Sequence, residues 1–382
     1  MKLSNTNIET NFPPTIQVPI RRIIIAGGGT GGHIFPAIAI ANALKQIDSN
    51  LEILFVGAEG KMEMEKVPQA GYKIKGLTIA GFNRHSILMN RFLPFKIFKS
   101  LFQVHKIFKD FTPDAVIGVG GYSSYPVVRY AQLKGIKSFI HESNSFAGKS
   151  NILLGKSATK IFVASEGMER FFPKEKLMIT GNPIRKAITD STVTRGEALR
   201  FFGLDESKKT ILAMGGSLGA GSINEALSLD LDLFQSNNLQ LIWQTGKTKS
   251  LEFILKSKNR KNIWVSEFIK EMEMGYAASD IIISRAGAMA VTELCVTGKP
   301  TVFVPYPLAA EDHQTSNAMR LVNIAAALIV KDNEVSEKLV TTVIDLSKNE
   351  PLQMTLKKNI HALAIKNADQ FIANEILNTV NV

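Results

Sequence analysis

One local pattern constrains this chain more than any other, and it occurs twice: a short apolar strand runs into a glycine-rich turn, and a helix follows. Residues 22–26 enter Gly27-Gly28-Gly29-Thr30-Gly31-Gly32, and a helical pattern follows from Ile34 to about Lys45. Near residue 208 the pattern restarts. Residues 210–214 enter Gly215-Gly216-Ser217-Leu218-Gly219-Ala220-Gly221, with a helix from about Ile223. A strand that is apolar along its whole length must be covered on both faces, which is the signature of a parallel sheet between helix layers. Further strands are expected at 51–56, 115–119, 138–140 and 160–164, then at 240–243, 263–265, 281–284 and 301–304. The fold class is therefore α/β, with two Rossmann-like domains facing each other across a cleft. At roughly 150 residues per domain, 382 residues suffice for both. We expect an extension over 1–20, an N-terminal domain over 21–184, a C-terminal domain over 185–365, and a last helix over 366–382 packing back on the first domain. Gly181, Asn182 and Pro183 break the pattern where the linker should lie.

Composition narrows the function. Residues 1–19 are polar, with Pro13-Pro14 and no apolar core run, so no signal peptide is expected there. No stretch of 18 consecutive apolar residues exists to span a membrane as a helix. The single cysteine, Cys295, excludes an internal disulfide and a multi-cysteine zinc site and fits a reducing compartment. The net charge of +11 favours an anionic partner: nucleic acid, acidic lipid or a phosphorylated substrate.

The glycine turns should lie at the carboxyl ends of parallel strands, where α/β folds bind ligands. Gly27 to Gly32 has the spacing of a phosphate-binding turn. That spacing alone also fits a dinucleotide site, but Glu59 lies farther along than the usual ribose-binding acid, about 20 residues on. His33 follows the glycines directly, where a neutral imidazole can take a proton from an acceptor hydroxyl or simply position the loop. Residues 284–293 leave a strand and start a helix whose first amides can face a diphosphate. Glu293 is an acid within a mostly apolar stretch, and a ribose diol offers such a carboxylate two donors. The polar cluster Glu311 to Ala318 sits where a loop becomes a helix; its Asp312 and His313 are adjacent, which makes a shared metal improbable, and helix capping is the plain alternative. Arg185, at the expected hinge, suits a phosphate or a base as well as a surface ion pair. Residues 82–111 interleave Phe82, Phe92, Phe95, Phe98, Phe102, Phe108 and Phe111 with Arg84, Arg91, Lys96, Lys99, Lys106 and Lys109, and add Leu88 among other apolar residues. A helix with a buried phenylalanine stripe explains part of this. The remaining apolar area points to a membrane surface.

Taken together the chain resembles the MurG family of UDP-N-acetylglucosamine to undecaprenyl-diphospho-muramoylpentapeptide transferases. The resemblance runs from about residue 21 to the C-terminus. It rests on Gly28 to Ala37, Gly120-Gly121-Tyr122, His141-Glu142-Ser143-Asn144, Gly181 to Arg185, Gly215 to Ala220, and Ser284 to Glu293 with Asp312-His313-Gln314. Six such segments in this order are specific. Ser143 stands where the family usually has glutamine, and Tyr125 where it usually has glycine.

The resemblance implies the GT-B fold, inverting transfer to the muramyl 4-hydroxyl, and no cofactor. It implies that Ser217 and Arg185 contact the donor's phosphate or nucleotide, that Phe268 and Ile269 frame the uracil, and that Glu293 holds the ribose. Ala288, Met289, Ala290, Val291 and Thr292 would supply amides, and Gln314 would meet the sugar. Thr30, Gly31, Gly32 and Asn144 would complete the donor site, His33 would be the base, and Tyr122 would lie on the acceptor side. The expected partners are UDP-N-acetylglucosamine, the undecaprenyl-linked muramyl pentapeptide, the anionic cytoplasmic membrane face and other cell-wall synthesis proteins. Competing readings are another transferase on the same scaffold, a silent UDP-sugar-binding protein, and an NAD-dependent oxidoreductase, which the second glycine-rich half disfavours. No known nucleic-acid-binding module is visible.

Overall fold

The computed structural model describes residues 22–79, 93–216 and 218–380, with only the backbone described at 93–98 and 310. The first sheet comprises β1 (Arg22–Ala26), β2 (Glu52–Ala58), β3 (Lys73–Leu77), β4 (Ala115–Gly118), β5 (Lys137–Glu142), β6 (Lys160–Val163) and β7 (Leu177–Ile179). They are all parallel, in the order β3-β2-β1-β4-β5-β6-β7. The second sheet comprises β8 (Lys209–Met214), β9 (Leu239–Gln244), β10 (Ile263–Ser266), β11 (Ile281–Ser284), β12 (Thr301–Phe303) and β13 (Leu328–Ile329), parallel in the order β10-β9-β8-β11-β12-β13.

Alternation of side chains along a strand feeds both helix layers. Ile23 and Ile25 pack into one core of the first domain, while Ile24 and Ala26 pack into the core on the other face. Ile211 and Ala213 divide from Leu212 and Met214 in the same way in the second. In each sheet the winding direction reverses beside the first strand, between β1 and β4 and between β8 and β11. A crevice opens at the carboxyl ends of the strands at such a reversal. The Gly27 and Gly120 turns leave β1 and β4, and the Gly215 and Arg285 turns leave β8 and β11. Topology alone thus places all four turns at the two crevices.

The sequence reading did not single out β3, β7 or β13. The first two are the ends of the first sheet, and the Lys-Ile-Lys-Gly-Leu of β3 alternates exposure instead of forming an apolar run. Helix α1 (Gly31–Ile47) begins three residues earlier than expected, inside the glycine turn itself. Phe82, Arg84, Leu88, Arg91, Phe92 and Ser217 lie outside the described residues. Phe95 and Lys96 have only their backbone described, in helix α2 (Leu93–Phe111), where Lys99 is exposed.

The last helix, α3 (Ala368–Val380), lies against α1 in the first domain. Ile372, Ala373 and Ile376 share a core with Ile34, Ala37 and Ile40. Lys137 Nζ donates to the Thr379 carbonyl at 2.7 Å, and Lys160 pairs with Glu375. The two crossings between domains touch each other, since a Cβ on Gly181 would meet Ile365 Cβ at 2.8 Å. Ile376 is fully buried. Ile376→Ala should cost about 2–5 kcal/mol in urea denaturation. Hydrogen exchange should accelerate in α1 and not in residues 221–229; equal acceleration in both would show that the helix serves the two domains alike.

Candidate functional site

The turn after β1 is held from below by a residue the sequence reading passed over. Glu63 is buried, and its two carboxylate oxygens accept from the amides of Gly29 and Ala58, both at 2.9 Å. Gly28 has φ +149°, and a Cβ there would fall 2.3 Å from the Glu63 carboxylate. Only glycine fits that position. In the sequence Glu63 reads as an ordinary first-turn acid of a short helix, so its burial leaves no local signal.

His33 sits half-buried two residues into α1. Its Nδ1 lies 3.1 Å from the Gly28 carbonyl oxygen and 3.3 Å from Thr30 Oγ1. A carbonyl only accepts, so Nδ1 carries the proton and Nε2 keeps its lone pair. The ring packs against the next turn, where a Cβ on Gly120 would meet His33 Nε2 at 2.8 Å. Burial lowers the His33 pKa and the like charge of His313 adds to this, against Glu142, the Gly28 carbonyl and Glu63, which raise it. His313, whose charge reaches His33, belongs to the second domain. Thr30 caps α1 without a side-chain bond to its free amides, and the first turn, with Gly31 and Gly32, holds no acid.

The other wall is built in the same way. The helix over Ala288–Thr297 starts at Gly287 with no side-chain cap and no acid in its first turn. Among the described residues no side chain caps the first amides of this helix, those of Ala288, Met289 and Ala290, and the positive end of its dipole lies at the start that follows β11. Val291 is buried in the core, and Thr292 Oγ1 donates to the Ala288 carbonyl at 2.9 Å. Glu293 is occupied at both oxygens: Arg185 lies at 3.2 Å from Oε1, and the Tyr276 hydroxyl donates to Oε2 at 2.7 Å. Burial raises the Tyr276 pKa well above its usual value, helped by the charge of Glu293, so the phenol stays a donor. Tyr276 lies in the short helix Met272–Ala278, whose sequence gives no sign that its hydroxyl meets Glu293. Gln314 Oε1 accepts from the Tyr306 amide at 3.0 Å, which turns its amide nitrogen toward other partners. Glu311 and Asp312, just before it, hold φ of 55° and 51°, a strained approach to the helix carrying His313 and Gln314. Ile269 is buried at 2% exposure and its amide donates to Gln244, so its side chain belongs to the core, whereas Phe268 is exposed.

Amide side chains bridge the seam between the domains. Asn317 Oδ1 accepts from the Ser145 amide at 3.0 Å, while its Nδ2 donates to the Ala286 carbonyl. Asn182 Nδ2 donates to the Ser143 carbonyl and to Thr292 Oγ1. Glu142 accepts from both nitrogens of Asn144, from the Gly148 amide and from Asn151, and so fixes the loop that carries Asn144. Tyr122 is half-buried, and burial followed by the charge of Glu63 raises its pKa. Glu59, whose distance from the glycines did not suit a dinucleotide ribose, accepts from Thr78 Oγ1 at 2.9 Å.

Comparisons with known proteins agree along the chain. Residues 23–163 match the glycosyltransferase family 28 N-terminal domain, and residues 210–373 match the glycosyltransferase family 28 C-terminal domain. The UDP-N-acetylglucosamine–N-acetylmuramyl-(pentapeptide) pyrophosphoryl-undecaprenol N-acetylglucosamine transferase of Phocaeicola vulgatus is 49% identical over 358 residues, covering 93% of this chain and 95% of that one. Its namesake in Parabacteroides distasonis is 47% identical, covering 94% and 98%. The crystal structure of Acinetobacter baumannii MurG superposes with a TM-score of 0.76 at 30% identity, covering 94% of this chain and 99% of that one. A Staphylococcus aureus MnaA–UDP complex, at 15% identity and a TM-score of 0.66, shares the fold.

His141 lies beneath the site, fully buried, and neither ring nitrogen has a good hydrogen bond among the described residues, although Gly181 and Asn182 lie beside it. Burial lowers its pKa from 6.5 to about 4. The folded value lies below the unfolded one, so unfolding takes up a proton between these pH values. Stability is full above about 6.5 and is lost as pH falls toward 4. Between pH 7 and pH 5 this group should remove about 2 kcal/mol in urea denaturation. His141→Gln should abolish that part of the pH dependence; an unchanged dependence would assign it to other groups.

Proposed function

This chain belongs to glycosyltransferase family 28, and from that premise we propose how its cleft passes a sugar from a nucleotide to a lipid-linked acceptor. The enzyme transfers N-acetylglucosamine from UDP-N-acetylglucosamine to N-acetylmuramyl-(pentapeptide) pyrophosphoryl-undecaprenol, the lipid I to lipid II step of peptidoglycan synthesis. One observation carries the proposed chemistry: His33 Nδ1 lies 3.1 Å from the Gly28 carbonyl oxygen, which can only accept, so Nδ1 keeps its proton and donates the bond while Nε2 has a free lone pair. Nε2 takes the proton of the muramyl 4-hydroxyl as that oxygen attacks the anomeric carbon of the donor. The carbon–oxygen bond to UDP breaks on the opposite face, so the α-linked donor yields a β-linked product. Burial supports this role, because it favours the neutral imidazole.

The diphosphate gains charge as it leaves. The uncapped amides of Ala288 to Ala290 and the guanidinium of Arg185 meet that charge. Glu293, already oriented by Tyr276, accepts the ribose hydroxyls. Ser217, Gln314, Asn144, Thr30, Gly31 and Gly32 complete the donor site in this reading, and Ile269 contributes backbone to the base pocket.

No helix among the described residues is long and apolar enough to cross a membrane. The polyprenyl acceptor stays in the bilayer, so the enzyme works peripherally, at the cytoplasmic face. Residues 82–111 are the proposed contact. In support, Phe102 on α2 is 69% exposed close to the exposed Lys99. Apolar side chains would enter the interface while basic ones meet anionic head groups, each worth about 1 kcal/mol and weakened by salt.

A transfer assay with radiolabelled UDP-N-acetylglucosamine and the lipid-linked muramyl pentapeptide tests the base. His33→Ala should lower kcat about 10²–10⁴-fold with donor binding retained; near-normal turnover in a folded variant would leave His33 a positioning role. Changing Arg84, Arg91, Lys96 and Lys99 together to Glu should release the protein from anionic vesicles. It should also reduce activity on the native lipid acceptor far more than on a short-chain analogue. Binding that survives the reversal would place the membrane face elsewhere.

A further inference from the structure

The Glu63 carboxylate and the His33 imidazole hold opposite ends of one peptide group. Glu63 Oε2 accepts the Gly29 N–H at 2.9 Å, and the carbonyl of that same peptide, Gly28 C=O, accepts from His33 Nδ1 at 3.1 Å. A trans peptide points its N–H and C=O in opposite directions, and the described residues contain no cis bond. The three groups therefore form a chain: carboxylate, peptide, imidazole. We propose that Glu63 is a positioning residue for the transfer reaction, acting on His33 through the Gly28–Gly29 peptide as the carboxylate of a catalytic triad acts on its histidine directly.

Two effects follow. The first is geometric. Glu63 fixes the plane of the peptide, its other oxygen being anchored on the Ala58 amide, so the Gly28 carbonyl faces Nδ1 and only one tautomer is satisfied. The second is electrostatic. A negative charge at the N–H end polarises the peptide and strengthens its carbonyl as an acceptor, which makes the imidazole a better base at Nε2. The packing leaves no slack for another arrangement. A Cβ on Gly28 or Gly57 would strike the Glu63 side chain at 2.3 and 2.4 Å, and a Cβ on Gly121 would strike the Gly28 oxygen at 2.4 Å. A carboxylate needed only to cap a turn would not have to face the peptide that holds the base.

This inference rests on His33 as the base, so its test must separate the two. The charged and titratable groups around His33 are Glu63 on the helix after β2, His141 and Glu142 on β5, and His313 on the second domain. Glu63 raises the proton affinity of His33. Glu63→Gln keeps the shape and removes the charge. In the full-length enzyme it should lower kcat about 10- to 100-fold, the scale of a charge-assisted hydrogen bond, with the donor KM unchanged. The acid limb of the pH–rate profile should at the same time move to lower pH, because a less basic imidazole stays neutral further into acid. A purely structural role gives a lower rate with an unmoved limb.

In the His33→Ala background the same substitution should cost nothing more in kcat. An additive loss there, or an unmoved acid limb, overturns the relay while leaving His33 as base. Near-normal turnover of His33→Ala removes the base and the relay together. Should Glu63→Gln fail to fold, nitrogen-15 NMR of histidine-labelled wild-type enzyme decides, with His33→Ala for assignment. The Nδ1–H tautomer at His33 is expected, and the Nε2–H tautomer overturns the proposal.

Discussion

The close approach of two backbone turns at the first crevice is the constraint on which the rest of the site depends. The Gly28 amide donates to the Gly120 carbonyl at 3.3 Å, and the Gly28 carbonyl lies where any side chain on Gly121 would be. This contact brings the ends of β1 and β4 together across the reversal in strand order. It also sets the first turn of α1, and with it the direction in which His33 leaves the helix. Side chains at these positions would push the turns apart, and no change elsewhere would return the imidazole to the carbonyl. The same device recurs in the second domain, where a Cβ on Gly219 would fall 2.1 Å from the Thr245 carbonyl oxygen. Each domain thus gives up side-chain volume to bring two backbone turns together at the end of its sheet.

Joining the domains is a different problem with a different solution. The polar contacts across the seam include single hydrogen bonds made by amide side chains, Asn317 accepting from the Ser145 amide and Asn182 donating to Thr292. Such bonds exchange with water at a net cost of about 1 kcal/mol each. A seam of this kind can open and reclose, as the proposed donor site, assembled from both walls, would require. The last helix adds the complementary restraint. It is buried against α1 by Ile372 and Ile376, so the second domain is tied to the first at both ends of its chain.

How much of this was legible in the sequence follows from the range of each interaction. The apolar strands and the glycine turns are local, and both sheets could be read from them apart from β3, β7 and β13, where exposure broke the apolar run or left a strand of two or three residues. His33, Glu293 and Arg185 could be singled out because each is a polar residue in a position that propensity does not explain. Glu63 and Tyr276 could not. Glu63 stands 34 residues from the amide it holds, and Tyr276 stands 17 from its carboxylate. Each looks locally like ordinary helix content. Only the parallel pairing of β1 with β2, and the packing of the second core, reveals what they touch.

The Arg185–Glu293 pair shows why a site residue cannot be assigned from its chemistry alone. From the sequence, Glu293 was a carboxylate in an apolar stretch in need of a donor, and a ribose diol would serve. The fold supplies two donors from the protein, Tyr276 and Arg185, so the need is met before any ligand arrives. The two donors differ in kind. Tyr276 is buried, whereas the Arg185 side chain is 41% exposed beside a carboxylate that is 12% exposed. An ion pair open to water on one side is worth little and breaks readily. A buried phenol bond does not. The arrangement therefore holds one oxygen of Glu293 in place through Tyr276 while the other is only provisionally occupied, and it keeps a guanidinium within reach of the uncapped helix start. In the proposed reading, an anionic nucleotide there would exchange a weak contact within the protein for charge-assisted ones, with no new burial of an unpaired charge.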